Sequence, residues 1–329
     1  MIIKSRFQPA WWLRNPHLQT LWAAKVQQLP SPQMRRERVD TPDGDFLDLD
    51  WNQCDPDQLP GTLVVIFHGL TGSSNSSYAR SLMQSLFDSG IPAVLMHFRG
   101  CSGEPNRTRG SYHSGHTTDI KFIIDTLAHR FSQRSLAAIG FSLGGNALLK
   151  YLATHPATPL RYSVSVSPPL VLEEGAKRMS KGFSRLYQWA LIRQMKRAIR
   201  NKDKRYPALG LSDLNYEKVG DFWEFDDKIT AVLHGFDSVH DYYEKASTLD
   251  DLANINTPTH IIFARDDPFF SEACIPKSNE ALSPAVTFEL ARHGGHVGFI
   301  GSEKLFSGYP WLPTRLTALL TKNLPTSTN

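Results

Sequence analysis

The chain of 329 residues is too long for one minimal domain and suits one large α/β domain with insertions. Hydrophobic residues make up 41% of it and charged residues 21%, which is ordinary globular usage and excludes wholesale disorder and a coiled coil. No apolar run approaches the ~18 residues that a membrane span needs. The first residues lack the apolar core and cleavage site of a signal peptide.

The cysteines and the distribution of charge further limit which class of protein this is. Cys54, Cys101 and Cys274 are odd in number and far apart, so they predict neither a disulfide framework nor a zinc site, and we expect a reducing cytoplasm. The chain has 36 Lys and Arg against 32 Asp and Glu, but 11 of those basic residues and a single acid fall between Lys177 and Arg205. Because the rest of the chain is net acidic, we expect no nucleic-acid partner.

Buried strands alternate with helices along most of the sequence. The apolar, β-branched run Thr62–Phe67 predicts a strand buried on both faces, and helical spacing follows it over residues 76–89. Further strands are predicted at residues 92–96, 136–139, 162–166, 259–264 and 286–290, and further helices at residues 117–131 and 143–154. This alternation predicts an α/β fold with a doubly wound, mostly parallel sheet and helices on both faces.

The alternation is interrupted twice, which suggests a division of the chain into four parts. Residues 1–60, rich in Trp, Pro and Gln, are predicted to form an N-terminal extension packed on the core. Residues 61–169 and 256–329 are predicted to form the two parts of the core. Residues 170–255 are mainly helical in pattern, and we expect them to form a cap inserted between two strands.

A nucleophile motif follows the third core strand. Gly140-Phe-Ser142-Leu-Gly144 fits the G-x-S-x-G elbow, in which a serine stands at a strained turn from a strand into a helix. The pattern alone is weakly specific, but here a predicted strand precedes it and a predicted helix follows it. We therefore expect Ser142 to be a nucleophile, with the backbone N–H groups of Leu70 and Leu143 forming an oxyanion hole.

The elbow serine needs a base and an acid, and in this class they follow in the order Ser, Asp, His. The predicted strand at 286–290 leads to two histidines, of which we favour His296 over His293 because two glycines let it swing over the elbow. The predicted strand at 259–264 leads to Asp266 and Asp267, and we favour Asp267 while leaving Asp266 open. Both loops follow the carboxyl end of a parallel strand, the sheet edge at which Ser142 lies.

Two other kinds of site, a metal centre and a cysteine nucleophile, are disfavoured. The two aspartates and two histidines lack the H-E-x-x-H helix of a preformed metal site, so we expect no metal and no cofactor. No base is predicted near Cys101, which favours a small loop cysteine over a thiol nucleophile.

At these residues the sequence resembles the α/β-hydrolase superfamily, and more narrowly the YheT-like branch of bacterial hydrolases, which is related to eukaryotic medium-chain acyl esterases and phospholipases. The likeness runs nearly end to end and includes Ser142, Asp266-Asp-Pro-Phe269, His293-Gly-Gly-His296 and the more specific blocks Asn15-Pro-His-Leu-Gln-Thr20 and His97-Phe-Arg-Gly-Cys-Ser-Gly-Glu-Pro-Asn106. The resemblance implies a nucleophile at Ser142, a base at His296 and an acid in the Asp266-Asp267 pair. It implies hydrolysis of carboxylic esters.

The expected function is therefore a serine hydrolase for short- to medium-chain acyl esters, acting on a small molecule or a lipid. The alternatives are an acyltransferase that uses the same acyl-enzyme and a binding protein without activity; the absence of a His-x4-Asp pattern weakens the former. Residues 182–199 predict an amphipathic basic helix within the basic segment 177–205. We favour the interpretation that this helix packs on the core with its charged side in solvent. The alternative is that it contacts an anionic membrane surface.

Overall fold

A nine-stranded sheet forms the centre of the molecule. The computed structural model describes residues 1–26, 32–54, 61–304 and 307–324. Its strands are β1 (Ile2–Lys4), β2 (Arg35–Asp40), β3 (Phe46–Trp51), β4 (Thr62–Phe67), β5 (Ala93–Met96), β6 (Ser135–Phe141), β7 (Leu160–Val166), β8 (Thr259–Ala264) and β9 (Val286–Ala291). Two further strands, β10 (Ile300–Lys304) and β11 (Ser307–Pro310), form a separate antiparallel pair. In spatial order the sheet runs β1-β9-β8-β7-β6-β4-β5-β3-β2; the first seven of these are parallel, and β3 and β2 are antiparallel to their neighbours.

Helices cover both faces of the sheet. They are α1 (Pro16–Leu21), α2 (Ser77–Asp88), α3 (Thr118–Arg130), α4 (Leu143–Thr154), α5 (Leu172–Met179), α6 (Ser184–Arg205), α7 (Phe222–Phe225), α8 (Val232–His234), α9 (Val239–Ala246) and α10 (Trp311–Asn323). In β4, Leu63 and Val65 pack into one cluster with α3 and α4, while Val64 and Ile66 pack into another with α2 and α10. The predicted doubly wound, mostly parallel sheet is thereby confirmed. None of the helices in the described ranges has both the length and the apolar character needed to cross a bilayer.

The N-terminal part of the chain contributes strands to both edges of the sheet. It supplies three strands of the sheet, since β1 pairs with β9 at one edge and β3 and β2 continue the sheet beyond β5 at the other. The polar strand β2 is held at the exposed edge by cross-strand ion pairs from Arg36 to Asp50 and from Arg38 to Asp48. Strands β1, β2 and β3 therefore extend the sheet itself, and the assignment of residues 1–60 to an N-terminal extension packed on the core stays a prediction.

Helices α5 to α9 occupy the connection between β7 and β8. The long helix α6 is anchored to the rest of the chain near both ends. Ser184 Oγ donates to the Pro268 carbonyl at 2.6 Å, and Lys202 Nζ donates to Asn106 Oδ1 at 2.8 Å and to the Gly110 carbonyl at 2.6 Å. These bonds hold α6 over the loops that follow β5 and β8. The division of the chain at residues 61–169, 170–255 and 256–329 stays a prediction.

Candidate active site

Ser142 stands at a sharp turn between β6 and α4. Its backbone has φ 50° and ψ −120°, a conformation that residues with a side chain rarely adopt, and its N–H donates to the Val166 carbonyl at 2.8 Å. A Cβ on Gly140 would lie 2.5 Å from the Gly144 carbonyl oxygen, and one on Gly144 would collide with the His68 carbonyl. The two glycines of the motif are therefore sterically required for the turn that presents Ser142.

Ser142, His296 and Asp267 form one hydrogen-bonded chain. His296 Nε2 lies 2.9 Å from Ser142 Oγ, and His296 Nδ1 lies 2.8 Å from Asp267 Oδ2. The Asp267 side chain is 1% exposed and the His296 side chain 9%. This arrangement lets the imidazole accept the serine proton while the carboxylate stabilises the charged ring.

The neighbouring acid and histidine form a second, separate pair. Asp266 Oδ2 lies 3.0 Å from His293 Nδ1, and Asp266 Oδ1 accepts from the Gly295 N–H at 3.1 Å. Burial raises the pKa of Asp266, although its hydrogen bonds oppose that shift. The structure thus brings Asp267 to His296 and directs Asp266 to the loop that carries His296.

Two contacts that support His296 were not expected from the sequence. The ring of Phe269 stacks on its imidazole with centroids 4.0 Å apart and an interplanar angle of 10°. The Thr20 hydroxyl accepts from the His296 backbone N–H at 2.9 Å. Both residues belong to sequence blocks that carry the family resemblance, so membership in those blocks is the sequence feature that could have pointed to them.

Two backbone N–H groups are left free beside Ser142. In the loop after β4, the Gly69 N–H donates to Tyr78 Oη at 2.8 Å and the Thr71 N–H to Tyr112 Oη at 2.9 Å. The N–H groups of Leu70, between them, and of Leu143, at the start of α4, have no such partner in the described part of the chain. The tyrosines fix the loop on both sides of Leu70, and this pair of donors suits an oxyanion.

A cavity of about 480 Å³ lies next to Ser142. Leu70, Leu143 and Ser142 line it from the sheet side, and Leu191 and Met195 of α6 line it from above. Part of the apolar face predicted for residues 182–199 therefore faces the cavity. The remainder does not, because the side chains of Phe183, Leu186 and Trp189 are exposed.

Two further titratable groups that line the cavity, Cys101 and Asp226, have shifted pKa values. Burial raises the pKa of Cys101 to about 12, so its thiol is protonated at neutral pH and is no nucleophile. Burial also raises the pKa of Asp226 to about 7, although the hydroxyls of Thr230 and Tyr243 donate to its carboxylate at 2.8 and 2.9 Å. Within the described ranges, the residues grouped closely enough to share a metal ion are His113, His116 and His234, and none of them was predicted.

A family model for the α/β-hydrolase fold matches residues 62–303. The chain belongs to the α/β-hydrolase family. This α/β hydrolase is 41% identical over 322 residues to the Escherichia coli K12 protein YheT, whose name proposes an esterase; the alignment covers 97% of this chain and 94% of that protein. The predicted membership in the YheT-like branch is thereby confirmed.

More distant proteins share the architecture. This α/β hydrolase is 26% identical over 306 residues to the human phospholipase ABHD3, and the match covers 91% of this chain and 75% of that protein. The solved structure of the Pyrococcus furiosus esterase Pf2001 superposes with a TM-score of 0.59 at 17% identity, covering 99% of this chain and 98% of that one. The latter likeness establishes the fold.

Proposed function

We propose that the protein is a serine esterase that cleaves carboxylic esters through an acyl-enzyme on Ser142. The observation that supports this most is the continuous hydrogen-bonded chain from Ser142 through His296 to Asp267, which opens onto a cavity beside two free N–H groups. The esterase and lipase names among the relatives point the same way.

The proposed reaction has two acyl-transfer steps. Ser142 Oγ attacks the ester carbonyl while His296 Nε2 accepts its proton, and Asp267 stabilises the resulting imidazolium. The N–H groups of Leu70 and Leu143 bind the oxyanion of the tetrahedral intermediate. His296 then protonates the departing alcohol, and a water molecule repeats the sequence on the acyl-enzyme to release the acid.

We propose short- to medium-chain acyl esters of a small molecule or a lipid as substrates. A cavity of about 480 Å³ lies within the usual range of ~300–1,000 Å³ for small-molecule sites. Its wall includes Leu172 and Met179 of α5 and Leu191 and Met195 of α6, which offer an apolar surface to an acyl chain.

Hydrolysis of p-nitrophenyl esters from acetate to palmitate tests this function. We expect the rate to peak at one chain length and to fall by about 10⁴-fold or more in Ser142→Ala. A fluorophosphonate should label the wild type and not the variant. Activity that survives in Ser142→Ala would refute the mechanism, and a wild type that neither hydrolyses esters nor reacts with the probe would favour a binding protein.

An acyltransferase would use the same acyl-enzyme. Products analysed with added alcohol distinguish the two reactions, because an acyltransferase forms a new ester at the expense of the free acid. The esterase proposal expects the acid to dominate in water.

Peripheral contact with an anionic membrane through segment 177–205 remains a further proposal. Phe183, Leu186 and Trp189 at the start of α6 are 47%, 56% and 60% exposed, with the exposed Arg185 and Arg193 beside them. We expect the protein to sediment with anionic vesicles at low salt and the variant Leu186→Ser/Trp189→Ser not to do so; failure of the wild type to sediment would refute the contact.

We also retain a cytoplasmic location as a proposal, in keeping with three free cysteines.

A further inference from the structure

Three histidines that the proposed reaction does not use lie together beside the cavity. His113 and His116 belong to the loop between β5 and α3, and His234 ends α8. One nitrogen of each ring lies within 4.8 Å of one nitrogen of each other ring. The ring centroid of His113 lies 4.6 Å from that of His234 and 5.3 Å from that of His116.

The hydrogen bonding of these rings is incomplete. His116 Nε2 is buried without a hydrogen bond, although Asp119 Oδ2 lies 3.4 Å away. The ring of His234 makes no hydrogen bond to any described residue, and His113 Nδ1 accepts one contact of 3.2 Å from the Gly115 N–H. Buried polar atoms nearly always have a partner, so an unpartnered imidazole nitrogen points to a bound water or ion.

The charged groups around the cluster partly balance one another. Asp119, next to His116, is held by the Arg99 guanidinium at 2.7 and 2.8 Å. The Lys202 ammonium also lies near His234, but it is already occupied by Asn106 and by backbone carbonyls. These two cations already have partners in Asp119 and Asn106, and three imidazoles with nitrogens within 4.8 Å of one another favour a metal ion over an anion.

The donor set limits the metal. Three imidazole nitrogens suit zinc and its neighbours in the transition series, whereas magnesium and calcium prefer oxygen ligands. Tetrahedral zinc–nitrogen bonds of about 2.0–2.1 Å place the nitrogens about 3.3 Å apart, so nitrogens that lie up to 4.8 Å apart approach by up to about 1.5 Å on binding. Coordination through His113 Nδ1 would replace its weak contact with Gly115.

We propose that His113, His116 and His234 form a zinc site. His113 and His234 also line the cavity that contains Ser142, so the fourth coordination position faces that cavity. The metal would join the loop after β5 to α8 and thereby fasten the helical connection over the sheet. The proposal is independent of ester hydrolysis, because its ligands are not residues of the proposed reaction.

Zinc binding to the whole protein tests the site. We expect chelator-treated wild type to bind one zinc ion per chain in calorimetry and in competition with a chromogenic chelator. His234→Gln should weaken the affinity by at least about 10-fold. The matched control His129→Gln changes an exposed histidine of α3 and should bind as the wild type does. Zinc should also raise the unfolding temperature of the wild type and the control, but not of His234→Gln.

Two results would overturn the proposal. One is a wild type that binds no zinc, and the other is His234→Gln binding zinc as tightly as the wild type, which would place the ion elsewhere, such as at His296 or His293. Circular dichroism checks that each variant is folded, and His116→Gln replaces His234→Gln if the latter is not. Ester hydrolysis is measured separately, so failure of one proposal does not affect the other.

Discussion

Replacing Asp267 with Asn removes an oxygen that the structure uses. The carboxylate serves two donors, because Oδ2 faces His296 Nδ1 at 2.8 Å and Oδ1 accepts from the Phe269 N–H at 2.8 Å. Asparagine has one acceptor oxygen and one NH₂ group. It can therefore satisfy one of these donors and must oppose the other.

The two orientations of the new amide differ in energy and in consequence. If its oxygen faces His296, its NH₂ opposes the Phe269 N–H, and leaving such buried donors unsatisfied costs about 1–3 kcal/mol. The reverse orientation avoids that cost, but the amide then donates to His296 Nδ1 and places the ring proton on Nε2. In that tautomer His296 cannot accept the proton of Ser142. We therefore expect kcat to fall on the order of 10⁴-fold.

Asp266→Asn is the matched control. Asp266 also serves two donors, the Gly295 N–H and the ring of His293, so the substitution creates the same conflict one residue away. Because this pair does not touch Ser142, we expect kcat to remain within about 10-fold of wild type. Steady-state hydrolysis of the best p-nitrophenyl ester measures both, with circular dichroism as a folding check. Equal losses in the two variants, or an Asp267→Asn enzyme that retains most of its activity, would refute the reasoning.

Two further substitutions test the core around the site. Burial alone would raise the pKa of Glu289, but hydrogen bonds to its carboxylate lower it from 4.5 to about 2. That stabilisation is complete above pH 4.5 and is lost as the pH falls through 2. In urea unfolding, Glu289→Gln should therefore lower the free energy of unfolding by about 3 kcal/mol at pH 7 and by about 1 kcal/mol at pH 3. A decrease that does not change with pH, or an equal decrease in the exposed Glu272→Gln, would contradict this. Gly144→Ala should abolish esterase activity, because its Cβ collides with the His68 carbonyl, whereas Gly220→Ala, with its nearest contact at 3.5 Å, should not. Fluorophosphonate labelling and melting curves measure both, and an active Gly144→Ala would show that the elbow can relax.

The buried centre of the fold was predictable because its signals are local. β4 and β8 begin and end at the predicted residues, since each contains an apolar run, Leu63–Phe67 in β4 and Ile261–Ala264 in β8, that a parallel sheet buries on both faces. The edge strands have no such signal. β2 is polar throughout, with the sequence Arg-Arg-Glu-Arg-Val-Asp, and β1 has three residues, so neither pattern separates a strand from a loop.

Topology predicts where the site lies, and the two glycines before His296 favour that histidine, but the folded backbone decides between Asp266 and Asp267. Strand order brings Ser142, His296 and the Asp266-Asp267 pair to one sheet edge, which the sequence implies. The choice between two adjacent acids depends on which loop N–H groups each meets, and those are set by the folded backbone. The histidine cluster was missed for a similar reason, because His234 lies more than a hundred residues after His116 and no local pattern links them.

The position of β1 has a consequence for the order in which the chain acquires its structure. Ile2 pairs with Phe288, and Ser5 Oγ donates to Glu289 Oε1, so β1 depends for its partner on a strand that lies more than 280 residues later in the chain. At about 5–20 residues per second, the ribosome needs roughly 15–60 s to make the intervening chain. During that interval β1 lacks its partner strand, and once β9 is made, its outer edge stays open until β1 pairs with it. We infer that the sheet is completed only after β9 has emerged, so a nascent chain interrupted before that strand would lack both this edge and the loop that supplies His296.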